Sequence, residues 1–343
     1  MNVLISGGAG FIGSHLAERL LNRGEQVSIV DDLSTGSVQN IRHFKTSKNL
    51  RWFFDTVTNQ QLMSELIDKA DIIYHLAAAI GVDYSTNAMG SNLRGTEIIL
   101  EMAAHKKKRV LITSTSEVYG RRNQAPFRED DDVALGAPPG SRWSYVCAKL
   151  IDEFLAVAYW KEKQLPTVIV RLFNVVGPRQ TGFYGTVIPS LIKQALSGMD
   201  MTVFGDGSQS RCFTHVSDAV NALIALAEHS EANGEVYNIG STEEICIVQL
   251  AQRIKEMAFS NSKIIFIPHD KAYGSGFEEM MCCRPDLTKI QKMIDYRPKM
   301  NLDVILADTI KYHVEQPAFR LVDWYHGDSR RREETGLAAA EMA

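Results

Sequence analysis

Tyr145 and Lys149 stand four residues apart in a segment with helical spacing, Trp143 to Lys163. Residues i and i+4 share a helix face. An ammonium beside a phenol favours the phenolate, which is a base able to act near neutral pH. Upstream, Thr113-Ser114-Thr115-Ser116-Glu117-Val118-Tyr119-Gly120 closes an apolar run. In a doubly wound sheet the carboxyl ends of the strands face the ligand crevice. Thr115 is thereby placed to hydrogen-bond the oxygen that Tyr145 deprotonates. A Tyr-x-x-x-Lys pair alone is common by chance and reads equally as a surface pair. A glycine pattern near the N-terminus narrows its meaning.

That pattern is Gly7-Gly8-Ala9-Gly10-Phe11-Ile12-Gly13, directly after a predicted strand and opening a predicted helix. Gly7 permits the tight turn, Gly10 lets backbone approach a pyrophosphate, and Gly13 allows close helix–strand packing. The helix start then offers free N–H groups and a positive dipole end to phosphates. Asp31 ends the next strand, where an acidic residue binds adenosine ribose hydroxyls. With Asp32 beside it, two carboxylates repel a 2′-phosphate and favour NAD over NADP. Asp32 also reads as a helix or loop cap. Asp55 ends the third strand and reads either as a contact for the adenine amino group or as a turn cap. Leu76-Ala77-Ala78 supplies small side chains against which a pyrophosphate or nicotinamide ribose can lie.

Alternating strands and helices must position these residues. Val3–Ser6, Val27–Val30, Leu50–Phe54, Ile72–Leu76 and Val110–Thr113 read as short strands, and Thr167–Arg171 as a further buried one. Helical spacing begins near Phe11, with Leu16 and Leu20, and recurs over about Ala88 to His105. Strand alternating with helix implies an α/β fold with a parallel sheet covered on both faces. Beyond Phe173 the pattern loosens at Gly177-Pro178, Gly182, Gly185 and Pro189. Helices are expected near 186–197 and 217–229, and strands at Glu235–Ile239 and Ile264–Ile267. A smaller mixed unit thus interleaves with the last strands of the first. Gly120–Arg142 reads as a long loop and the tail from about Gly327 as a flexible extension.

Composition excludes several classes. The 343 residues are 45% hydrophobic and 23% charged, unlike a disordered chain, a collagen repeat or a disulfide-stapled miniprotein. A net charge of −4 gives no reason to expect nucleic acid or an anionic membrane. Cys147, Cys212, Cys246, Cys282 and Cys283 are odd in number and lack CxxC spacing, so no metal site and a reducing compartment are expected. No secretory-signal pattern is visible in Met1-Asn2-Val3-Leu4-Ile5-Ser6 and no apolar run reaches the ~18 residues of a membrane span, so a cytoplasmic protein is expected.

Together these motifs resemble the extended short-chain dehydrogenase/reductases that act on nucleotide sugars. The resemblance covers nearly all of residues 1–315. It rests on Gly7/Gly10/Gly13, His75-Leu76-Ala77-Ala78, Asn92, Thr115–Gly120, Tyr145/Lys149 and Arg171-Leu172-Phe173-Asn174-Val175-Val176-Gly177-Pro178. Arg211-Cys212-Phe213-Thr214-His215-Val216-Ser217-Asp218 and Tyr237-Asn238-Ile239-Gly240 extend it. It implies a Rossmann-like NAD-binding domain over 1–172, with returning segments near 212–240. A smaller mixed C-terminal domain over 173–315 would hold the nucleotide sugar. Dimers joined through the helices near 88–105 and 143–163 are also implied.

By the same resemblance Tyr145 is the base at the sugar 4-hydroxyl while NAD accepts the hydride. Lys149 is its partner and holds the nicotinamide ribose, and Thr115 is the hydrogen-bonding third member. Phe11, Ile12, Asn92 and the turn Asp31-Asp32-Leu33-Ser34-Thr35-Gly36 join the cofactor contacts. Ser116, Asn174, Arg179, Arg211 and Arg284 become substrate contacts, with Arg179 and Arg211 equally readable as ion pairs.

All these enzymes pass through a 4-keto sugar, and the next step divides them. Thr-Ser-Glu-Val-Tyr-Gly, with Glu117, resembles the UDP-glucuronate decarboxylases that make UDP-xylose. A carboxylic acid beside carbon 5 can exchange a proton with an enolate, which epimerisation does not need. One departure is Cys283, which stands where decarboxylases carry an arginine two residues before Pro285. That departure weighs against the reading, yet Glu117 and its motif still make decarboxylation the expected reaction. UDP-sugar 4-epimerisation, 4,6-dehydration and a non-catalytic NAD-binding module stay open.

Overall fold

In the computed structural model, residues 1–78, 86–121, 125–136, 142–182, 186–269, 271 and 281–315 are described. Parts of the loop 120–142 and of 180–186, with Gly185, and the whole tail from 327 lie outside them.

Seven parallel strands form one sheet: β1 (Asn2–Ser6), β2 (Gln26–Val30), β3 (Leu50–Phe53), β4 (Ile72–His75), β5 (Arg109–Thr115), β6 (Thr167–Leu172) and β11 (Glu235–Ile239). Their spatial order is β11-β6-β5-β4-β1-β2-β3. The order reverses between β1 and β4, which opens the ligand crevice of a doubly wound sheet there. The Rossmann-like α/β fold expected from the sequence is thus present.

Both faces are apolar, and the alternation is clean. Val3 and Ile5, Ile72 and Tyr74, and Val168 and Val170 enter one core, while Leu4, Ile73 and Ile169 enter the other. That is why these strands read as continuous apolar runs. The first core is closed by helix α1 (Phe11–Asn22) through Leu16 and Leu20, and by α7 (Val216–Glu228) through Leu223 and Leu226. The second is closed by α3 (Gln60–Lys69), α4 (Thr86–Lys106) and α5 (Arg142–Lys163). Each fully buried Leu or Ile stabilises by about 1.5–3 kcal/mol relative to exposure. Helix α5 ends before Pro166, and Gln164 turns the chain with φ 54°.

A third core lies outside the sheet. Helices α6 (Val187–Leu196), α8 (Ile247–Met257) and α10 (Leu302–Glu315) pack Leu191, Leu250 and Ile305 against Met201 and Val203 of β8 (Met201–Phe204). Ile264–Ile267, now β13, pairs with β8 in a two-stranded parallel sheet. β9 (Ser210–Cys212) pairs antiparallel with β12 (Glu244–Cys246), and β7 (Val175–Val176) pairs parallel with β10 (Thr214–His215). A short helix α9 (Thr288–Ile294) returns to the first core through Ile290.

Candidate active site

The turns after β1 and β4 meet at the reversal of strand order. Gly7 has φ +74°, and a Cβ there would lie 2.8 Å from Ala77 N. Only a glycine combines that backbone with that approach. Gly13 is needed for packing, since a Cβ would overlap the Gly7 carbonyl oxygen. Gly10 N-caps α1 without a side-chain bond, leaving the first-turn N–H groups of Phe11, Ile12 and Gly13 to an outside acceptor. Ser6 Oγ accepts from Ala77 N at 3.3 Å, which fixes Leu76-Ala77-Ala78 against the glycine turn. This cradle, which side chains would fill, fits a dinucleotide pyrophosphate.

Asp31 lies buried at the end of β2. Its two oxygens accept from Ala9 N and Leu33 N, both at 2.9 Å. Each oxygen keeps a further lone pair for a ribose hydroxyl. Burial raises its pKa, partly offset by those backbone N–H groups. Gly36 leaves the room that Asp31 occupies, because a Cβ would meet its Oδ1 at 2.5 Å. Asp32 takes the capping role: its Oδ1 accepts from Ser34 N at 2.9 Å and Ser34 Oγ at 2.6 Å. Asp55 likewise caps its own turn, accepting from Thr56 N at 2.7 Å and Asn59 Nδ2 at 2.8 Å. Thr35 follows in the same turn and is half-buried.

Thr115, the last residue of β5, caps the 3₁₀ turn Ser116–Tyr119 by accepting from Glu117 N at 3.2 Å. That bond sets Glu117 beside the strand end and within electrostatic reach of Tyr145. Tyr145 lies in the first turn of α5; part of its surface is open although protein crowds around it. Lys149, one turn on, is buried and pairs with Asp152 Oδ2 at 3.2 Å.

The sequence expectation that Lys149 lowers the Tyr145 pKa is corrected. It is raised well above the ordinary phenol value, by burial first and then by the negative charges of Glu117 and Asp152. Much of the Lys149 charge is met by Asp152, a residue the sequence reading did not single out. Its signal was available, as an acid three positions after the lysine on the same helix.

Behind the site, a buried network fixes α5 and the 3₁₀ turn to the sheet. Glu153 takes Ser114 Oγ at 2.5 Å and Arg171 Nε and Nη2 at 3.0 and 2.8 Å. Arg171 lies over the Tyr119 ring, whose hydroxyl donates to Asn238 Oδ1 at 2.7 Å. Asn92 is buried on α4 and its carbonyl accepts from Thr96 Oγ1 at 3.2 Å.

The expected substrate contacts divide. Asn174, with φ 37°, donates through Nδ2 to Cys212 O at 3.0 Å, tying β9 to the end of β6. Arg211 donates to Ser210 O at 2.7 Å and reaches the surroundings of Cys283. Cys283 is buried with its thiol 3.6 Å from Ser116 Oγ, and its pKa is pushed up to about 11 by burial. Arg284 pairs loosely with Glu244 at 3.8 Å. Arg179 is held elsewhere, by Glu18 of α1, by His43 Nε2 at 2.9 Å and by Ser14 Oγ at 3.4 Å. That geometry is the ion-pair reading of Arg179 rather than a diphosphate contact.

Thr115, Glu117 and Tyr145 thus stand together at the end of β5, with Lys149 one turn along α5. Such a set can take a proton from an alcohol and exchange one at an adjacent carbon.

Comparison with known proteins agrees. The profile of the family described as GDP-mannose 4,6 dehydratase matches residues 4–309. UDP-N-acetyl-alpha-D-glucosaminuronate decarboxylase of Bacillus cytotoxicus is 44% identical over 317 residues, covering 91% of this chain and 97% of that one. UDP-glucuronic acid decarboxylase 1 of Danio rerio is 35% identical, covering 90% and 72%. The crystal structure of UDP-glucuronic acid 4-epimerase from Bacillus cereus, with UDP-glucuronic acid and NAD, superposes with a TM-score of 0.82. It is 30% identical and covers 91% of this chain and 98% of its own. The chain belongs to the GDP-mannose 4,6 dehydratase family, and is an enzyme of the extended short-chain dehydrogenase/reductase type.

Proposed function

We propose that the protein is an NAD-dependent decarboxylase of a UDP-linked hexuronate. The observation that carries this reading is Glu117, set by the Thr115 cap beside Tyr145. The likeness to a UDP-N-acetylglucosaminuronate decarboxylase puts that substrate first, with UDP-glucuronate beside it. Bound NAD supplies a hydride acceptor at its nicotinamide ring. Tyr145 takes the proton of the sugar 4-hydroxyl, Thr115 orients that oxygen, and Lys149 holds the nicotinamide ribose. With carbon 4 a ketone, the carboxylate is that of a β-keto acid. The bond to carbon 6 breaks, its electrons enter the ketone as an enolate, and carbon dioxide leaves. Glu117 serves the proton that returns to carbon 5, and the ketone is reduced again.

Asp31 and the glycine turn, with Gly36 and Asn92, hold the cofactor in this reading, and Ser34 and Thr35 line its adenosine end. Ser116, Asn174 and Arg211 face the sugar nucleotide, and Arg284 its outer edge. The labour divides as 1–172 with 212–240 for the dinucleotide and 173–315 for the nucleotide sugar. A cytoplasmic setting is supported by the five free thiols. A homodimer through α4 and α5 is supported by Phe154, 72% exposed, and Ile151 on α5. Phe154→Asp should then sediment as a monomer.

A second reading, 4-epimerisation, draws on the Bacillus cereus structure. Proton NMR in deuterated water, with UDP-N-acetylglucosaminuronate and UDP-glucuronate, tests both. Carbon dioxide release with deuterium at carbon 5 supports decarboxylation. Inversion at carbon 4 without deuterium overturns it in favour of epimerisation.

A further inference from the structure

Two short segments, far apart in the chain, carry residues assigned to the sugar nucleotide. One is the 3₁₀ turn Ser116–Tyr119, with Glu117. The other is Cys283-Arg284-Pro285-Asp286. They are joined at both ends. At their first residues, the Cys283 thiol lies 3.6 Å from Ser116 Oγ. At their last residues, Tyr119 and Asp286, a single carboxamide joins them. Asn238 of β11 accepts from the Tyr119 hydroxyl through Oδ1 at 2.7 Å. Its Nδ2 donates to Asp286 O at 3.4 Å and to Phe127 O at 2.9 Å. Phe127 is itself strapped to the second segment: its N–H donates to Arg284 O and its carbonyl accepts from Asp286 N, both at 2.8 Å. Its ring stacks on that of Tyr119, with centroids 5.0 Å apart.

The carboxamide is fully engaged. Asn238 is 0% exposed, so water does not stand in for any of these bonds. Two carbonyl oxygens accept only, and they force the NH₂ toward Phe127 and Asp286 and the oxygen toward Tyr119. Burial pushes the Tyr119 pKa up to about 12, which keeps it a phenol able to donate. Arg171 lies 4.8 Å over the Tyr119 ring and donates to Glu129 O at 3.2 Å, which fixes the turn and the 127–129 loop to β6. Asn238 N donates to Glu129 Oε1 at 2.8 Å, and its side chain adds 283–286 to the same frame.

We propose that Asn238 is a positioning residue: through Tyr119 and Asp286 it sets the separation between the turn that carries Glu117 and the segment that carries Arg284. The proposal rests on the reading that Glu117 and Arg284 serve the sugar nucleotide. A displacement of about 1 Å between such groups can cost about 10²-fold in rate.

The test uses Asn238→Asp and Tyr119→Phe. The first keeps the shape and the acceptor for Tyr119 but turns a carboxylate oxygen toward two carbonyls. The second removes the bond to the turn alone. Thermal melting, NADH binding and steady-state carbon dioxide release from UDP-N-acetylglucosaminuronate are read for each. In a folded Asn238→Asp, KM should rise about tenfold or more and kcat should fall, with NADH binding within about twofold of the parent. Tyr119→Phe should lower kcat about tenfold and leave KM within about twofold. A folded Asn238→Asp that melts lower but keeps the parent kcat and KM overturns the proposal. So does a loss of NADH affinity as large as the loss in kcat/KM, because the damage is then not confined to the sugar side. If Asn238→Asp does not fold, Tyr119→Phe decides, and parent kinetics there are equally fatal. If the parent itself releases no carbon dioxide, the proposed reaction fails. The affinity of the NAD-loaded protein for UDP-N-acetylglucosaminuronate, read by calorimetry, then decides on Asn238: a loss of about tenfold in Asn238→Asp keeps its role, and parent affinity rejects it.

Discussion

Arg171 and Glu153 face each other fork to fork, buried between β6 and α5, with N–O distances of 3.0 and 2.8 Å. The pair fixes where α5 sits along the sheet, and hence where Tyr145 stands relative to Thr115. Burial and the Glu153 carboxylate act in opposite directions on the guanidinium, and the carboxylate prevails, so its pKa is raised. Removing one partner leaves an uncompensated buried charge. Arg171→Met should therefore cost about 3–5 kcal/mol of stability. The double variant Arg171→Met with Glu153→Leu should recover most of that in urea unfolding.

Glu117 tests the branch of the chemistry rather than its first step. Glu117→Gln should slow deuterium uptake at carbon 5 and carbon dioxide release by about 10²-fold or more. Transient NADH formation, read by absorbance, should fall much less. Equal losses in both would return Glu117 to a structural role as part of the 3₁₀ turn.

Gly13 is a packing position with a binding consequence. An alanine there overlaps the Gly7 carbonyl and must push α1 away from the glycine turn. Gly13→Ala should cost about 1–3 kcal/mol of stability. It should also weaken NADH binding by more than tenfold, as a fluorescence titration beside a thermal melt would read.

His75 gives the fold an acid-sensitive point. Burial holds its folded pKa down to about 3, against an ordinary 6.5. Between those values the unfolded chain binds a proton that the folded protein refuses, so stability rises with pH. The contribution is complete above pH 6.5 and is lost as pH falls toward 3. At pH 5 the loss is about 2 kcal/mol from this residue. His75→Asn should start lower at neutral pH, having lost its bonds to Ser6 and Thr96, but show a flatter decline in chemical denaturation across about pH 4.5 to 7.5.

What could be read from the chain alone follows the range of the interactions. The main strands were legible because Val3–Ser6, Ile72–His75 and Thr167–Leu172 are buried on both faces and so are apolar over most of their length, Ser6, His75, Thr167 and Arg171 apart. Ile264–Ile267 was legible as a strand, but its partner Met201–Phe204 was not, since one face of that pair is half-exposed and blurs the alternation. The glycine turn and the Tyr145/Lys149 pair are local in sequence and carry their geometry with them. The direction of the Tyr145 pKa is not local: it depends on Glu117 from another element and on burial that only folding produces. Arg179 shows the same limit, because the competitor for its charge, Glu18, lies far along the chain.

The pairing of β11 with β6 has a consequence for how the chain is made. Residues 235–239 complete the sheet, hydrogen-bonded in register from Glu235–Val168 to Ile239–Leu172. Until they leave the ribosome, β6 is an open edge with its backbone groups unpaired, and the face that α7 covers, including Val168 and Val170, lies bare. Residues 1–172 therefore cannot mature as their own length emerges. They must wait for residues 173–239, and a polypeptide ending at 172 should aggregate through the open β6 edge rather than fold as a small NAD-binding protein.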